Sequence, residues 1–118
     1  MAISYSKLGS THTSLGNLDK ALTFFQDETK LFEELYEAYP QNVSFKNGLA
    51  ISYYKLGDFY KKQLVDFSNA QKYFKLASDI WKALKITAPQ YKQFQTFFNS
   101  VYVEKFIKLT HARMHKTF

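Results

Sequence analysis

Apolar residues recur along this chain at spacings of three and four. Between residues 70 and 84, Ala70, Tyr73, Phe74, Ala77, Ile80, Trp81 and Leu84 fall on one helical stripe, while Lys72, Lys75, Lys82 and Lys85 fall off it. That pattern predicts a helix with one buried side and one wet side. The periodicity breaks at Gly16-Asn17, where Asn17 or Asp19 can cap a new helix. It breaks again at Pro40 and Pro89, because proline excludes the helical conformation from the residue before it. Helices are predicted over 1–15, 18–38, 43–64, 68–87 and 91–115, and no strand is predicted.

The chain repeats itself. AISYSKLG at 2–9 returns as AISYYKLG at 50–57, an offset of 48. At an offset of 49 the likeness continues: Ala21 with Ala70, Phe25 with Phe74, Phe32 with Trp81, Leu35 with Leu84, Pro40 with Pro89 and Phe45 with Phe94. The one-residue insertion between the two offsets must lie in the loop between Gly9 and Ala21 or its equivalent, where the second unit departs from the Gly9 to Ala21 spacing by one residue. Glycine and alanine at Gly9/Ala21 and Gly57/Ala70 would let paired helices approach closely, and the aromatic residues would fill the space between pairs.

These positions resemble the tetratricopeptide repeat family. The first unit offers Tyr5, Leu8, Gly9, Ala21, Phe25 and Pro40; the second offers Tyr53, Leu56, Gly57, Tyr60, Ala70, Phe74 and Pro89. The period of 48 to 49 exceeds the family's 34, as in a variant whose second helices are about two turns longer. His12 stands where an aromatic residue is expected, and the third segment matches poorly, with Phe106 in place of a glycine. The expected fold is an all-α helix-turn-helix repeat solenoid forming one domain, 1–118: a unit over 1–40, a second over 41–89 and a closing helix over 90–118. The first helix lacks the opening turns that its counterpart has, which reads as a piece of a longer array or an end covered by self-association.

What the resemblance implies about function is a non-catalytic scaffold that binds a peptide or protein segment in a concave groove. By position, the groove residues would be Ile3, Ser6, Ser10, Thr13 and Ser14 in the first unit and Ile51, Tyr54, Asp58, Lys61 and Lys62 in the second. Family members that bind chaperone tails grip a C-terminal carboxylate with lysine and asparagine. Here those positions hold Ser6, Ser10, Tyr54 and Asp58, so that clamp is absent. The alternative is a structural module whose main contact is another copy or flanking repeats.

Composition narrows the chemistry. The 118 residues contain no cysteine, two prolines and four glycines, with 46% hydrophobic and 19% aromatic content, as in an ordered chain with one core. Without cysteine there are no disulfides, thiolate metal sites or cysteine nucleophiles. No window is apolar enough for a membrane span and no secretory leader pattern opens the sequence, so the default expectation is a soluble cytoplasmic protein. The net charge of +6 is unevenly spread: residues 1–45 sum to −3 and residues 46–118 to +9. The lysines at 72, 75, 82, 85, 92, 105, 108 and 116 accompany a single arginine, Arg113, which favours an acidic protein partner over nucleic acid. An acidic first unit and a basic closing segment would also suit a homo-oligomer joined through the chain ends.

Candidate catalytic and metal motifs read as structure. His111 and His115 have metal-ligand spacing on a helix, but no cysteine accompanies them and the nearest carboxylate is Glu104. His12 reads as a half-buried packing residue with no triad around it. The acid pairs Asp27/Glu28 and Glu33/Glu34 read as a solvated helix face, since sequence neighbours point to different sides of a helix. GNLDKA and LGDFY lack the glycines of a phosphate-cradling loop. No enzyme activity, cofactor or metal is expected.

Overall fold

The computed structural model describes residues 2–102, with side chains from residue 5 onward. Five helices follow one another: α1 Ala2–Ser14, α2 Leu18–Ala38, α3 Val43–Lys62, α4 Phe67–Thr87 and α5 Gln93–Asn99. Among the described residues there is no strand. The first four helices lie within two residues of their predicted bounds. After α5 the backbone passes into a wider π-type turn over residues 100–102. The predicted continuation to residue 115, with the His111/His115 pair, lies outside the described residues.

Helix ends follow local chemistry. Asn42 Oδ1 accepts a hydrogen bond from the Phe45 N–H at 3.0 Å to start α3, and Asp66 Oδ1 accepts one from the Asn69 N–H at 3.1 Å to start α4. Asn17 occupies the capping position of α2 but makes no side-chain cap bond; its amide meets His12 Nδ1 at 3.3 Å instead. Pro40 and Pro89 each follow the non-helical capping residue just past α2 and α4, Tyr39 and Ala88, where their rings bar another turn. The α1–α2 connection takes residues 15–17 and the α3–α4 connection residues 63–66. The extra residue of the second unit therefore sits in that loop.

Each helix packs against its neighbours in sequence, so the chain stacks as α-hairpins. Missing side chains set the approach. A Cβ on Gly57 would lie 2.7 Å from the Phe74 ring and 3.2 Å from the Ala70 carbonyl oxygen, and one on Gly9 would lie 2.8 Å from the Phe25 ring. Gly48 does the same for Phe32 between α2 and α3, a contact the repeat alignment did not mark. The main core joins α3, α4 and α5 around Ala50, Phe74, Ala77, Trp81, Leu84 and Phe94; a smaller one joins Ala21 and Phe25 to Leu56 and Phe59. Buried hydroxyls bond backward within their own helices, Thr29 to the Phe25 carbonyl at 3.0 Å and Ser52 to that of Leu49 at 2.7 Å. His12 is half-buried and stacks on Phe24 at 5.4 Å, as a packing residue does.

Candidate functional site

Helices α1 and α3 both pack against α2, and depressions open between them. One open depression of about 350 Å³ is walled by Ser10, Thr13 and Ser14 of α1 and by Tyr54, Lys55, Asp58 and Lys62 of α3, with Phe25 and Phe59 among its lining residues. A second, of about 430 Å³, is lined by Ser6, Lys7 and Ser10 of α1, Glu28 and Phe32 of α2, and Gly48, Ile51 and Lys55 of α3. Helical spacing explains the grouping, since Ile51, Tyr54/Lys55, Asp58 and Lys62 advance by three or four along a single stripe.

Of the ten residues expected in the groove, eight line these two depressions. Lys61 is on α3 but lines neither, and Ile3 has no described side chain. Lys55 and Glu28 were missed. Lys55 was legible in principle, because it repeats Lys7 at the offset of 48 and lies on the Ile51–Asp58 stripe. Glu28 was not. Its carboxylate is 3% exposed, in contrast to the solvated face that its pairing with Asp27 suggested. Burial comes from α3 closing over it, with Gly48 allowing the close pass, and adjacency in sequence cannot show that.

The polar groups here are coupled. Lys55 Nζ lies 3.6 Å from Glu28 Oε1 and donates a hydrogen bond to Ser6 Oγ, tying α1, α2 and α3 together. Burial raises the Glu28 pKa above its ordinary value, while the charge and hydrogen bond of Lys55 pull it back part of the way. Nearby, Lys62 Nζ sits 3.3 Å from Asp58 Oδ1, an oxygen closed off from solvent that has charge proximity without an aligned hydrogen bond. Burial, and then the Asp58 carboxylate, raise the Tyr54 phenol above its usual range, so it stays neutral and can donate.

Among the described residues no three His, Asp or Glu side chains come together as a metal site, and no helix is long and apolar enough to cross a membrane.

Comparison with curated proteins and with solved structures gives no match. A family model for the tetratricopeptide repeat does match, over residues 2–33 and 50–80, more than half of the chain. The two matched stretches cover α1 with most of α2, and most of α3 with two-thirds of α4, the same hairpins that the glycine contacts hold together. Proteins built from such repeats generally mediate protein–protein interaction. With its paired helices, its Gly9–Phe25 and Gly57–Phe74 contacts and these two matched segments, this chain belongs to the tetratricopeptide repeat family.

Proposed function

We propose that this protein is a non-catalytic scaffold that holds a peptide or protein segment in the groove between α1 and α3. The observation that carries the reading is the convergence of Ser10, Thr13, Ser14, Tyr54, Asp58 and Lys62 around one open depression. Such a surface offers short polar groups for main-chain hydrogen bonds and an aromatic floor for a side chain. Selection from a random peptide library displayed on phage tests it. Binders should lose affinity when Ser10→Arg and Ser14→Arg, two exposed positions, fill the depression. Recovery only of peptides indifferent to both substitutions would overturn the reading.

The rival reading is assembly with another copy or with flanking repeats. It rests on Leu8 of α1 and Leu15 in the turn just beyond it, which are 41% and 67% exposed. Sedimentation across concentration and salt separates the two, since a scaffold of the first kind stays monomeric without its ligand.

A further inference from the structure

The repeat gives the groove two versions of one subsite. The Ser6/Phe32/Gly48 depression has a counterpart of about 270 Å³ between α3 and α5, lined by Ile51, Tyr54, Trp81, Phe97, Ser100 and Val101. At the repeat offsets Tyr54 replaces Ser6, Trp81 replaces Phe32, Phe97 replaces Gly48, and Ala77 replaces Glu28. The substitutions change the chemistry in one direction. Where the first version has a glycine and a buried acid, the second has a ring and a methyl group. It is smaller, and among the described residues no charged side chain lines it.

We propose that the two subsites receive a single partner segment of split chemistry, with a carboxylate in the first and a large apolar side chain in the second. This deepens the groove reading above and rests on it. Ile51 lines both depressions, so the subsites adjoin and one extended segment can fill both. In the second, Trp81 gives its N–H to Asn47 Oδ1 at 2.8 Å and packs its ring 5.1 Å from Phe97, which leaves an apolar surface toward the ligand.

The first subsite is positive. Lys7 is exposed, Lys55 is half-buried, and the carboxylate facing them, Glu28, is nearly sealed and already opposite Lys55. A ligand cation would meet two ammonium groups before reaching Glu28. A ligand carboxylate would meet Lys7 with the Ser10 hydroxyl beside it. The charge of the whole chain, +6, acts in the same direction on an approaching acid.

Trp81, the single tryptophan, lies in the second subsite and reports its occupancy by fluorescence. Peptides selected from the random phage library should carry Asp or Glu at a fixed distance from Phe, Leu, Ile or Trp, and should shift Trp81 emission. Lys7→Glu should weaken them about tenfold or more, the loss expected of one charged contact, and should leave their Asn or Gln analogues unaffected. Ser100→Arg should abolish the emission shift. Synthetic peptides with amidated and free C-termini identify the source of the carboxylate: retained affinity on amidation assigns a side chain, lost affinity a chain end. Selected peptides that enter the groove but lack acids, or that ignore Lys7→Glu, would overturn the split chemistry and leave the groove reading standing. If Ser10→Arg and Ser14→Arg also have no effect on any selected peptide, both readings fall.

Discussion

Gly16 and Val65 hold the same left-handed backbone conformation, with φ of +78° and +51°, at equivalent places in the two inter-helix loops. Glycine adopts it freely, whereas a β-branched residue is strained there. Val65 is 60% exposed, so its side chain gains little from burial in return. Relief of about 1–2 kcal/mol, less about 0.5–1 kcal/mol of added chain entropy, leaves Val65→Gly more stable by roughly 0.5–1 kcal/mol. Thermal melting should move up by a few degrees, and Gly16→Val should move it down. A Val65→Gly protein that melts at or below the wild-type temperature would show that the loop is not strained.

Gly57 gives a stronger test of the helix pairing. A Cβ there would meet the Phe74 ring at a distance too short for one and the Ala70 carbonyl in a tight contact. Gly57→Leu should therefore cost about 1–3 kcal/mol through overpacking, measured by denaturant or thermal unfolding. An unchanged unfolding midpoint would contradict the close α3–α4 contact.

The Trp81 indole makes its side-chain hydrogen bond to Asn47 across the α3–α4 interface. Trp81 itself is 3% exposed, so removing the acceptor leaves a buried N–H without its partner. Asn47→Leu should destabilise the protein by about 1–3 kcal/mol and alter the emission of its one tryptophan. Equal stability and an unchanged spectrum would mean that the bond does not form in solution.

The pH dependence of stability should carry the signature of Glu28. Burial raises its folded-state pKa above the ordinary value of 4.5, with Lys55 opposing. The folded state then holds this proton more tightly than the unfolded chain does. Stability from this group is fully present below the ordinary glutamate pKa, is lost as pH rises through the folded pKa, and is flat above it. Glu28→Gln removes the effect, so wild-type stability relative to the variant should fall with rising pH in that window. A difference that rises with pH would reverse the assignment and make Lys55 the dominant influence.

Secondary structure and the repeat were legible because they are local or self-similar. The stripe from Ala70 to Leu84 needs only the 3.6-residue period, and Pro40 and Pro89 stop α2 and α4 by the geometry of their own rings. Likewise, AISYSKLG and AISYYKLG are visible without coordinates. The alignment also showed that an extra residue lies in an inter-helix loop, and eight of the residues it marked line the two depressions.

Glu28, Gly48 and the contrast between the two subsites were decided only by tertiary structure. Burial of a side chain depends on which helix crosses above it, and that crossing is set by contacts between residues far apart in sequence. Gly48 admits Phe32, α3 settles over α2, and Glu28 is enclosed with Lys55 opposite. One residue earlier on α2, Asp27 remains in water. Sequence determines the faces a helix can present; the neighbouring helix determines which atoms on those faces lose their solvent, because desolvation belongs to the assembled surface and not to any residue alone.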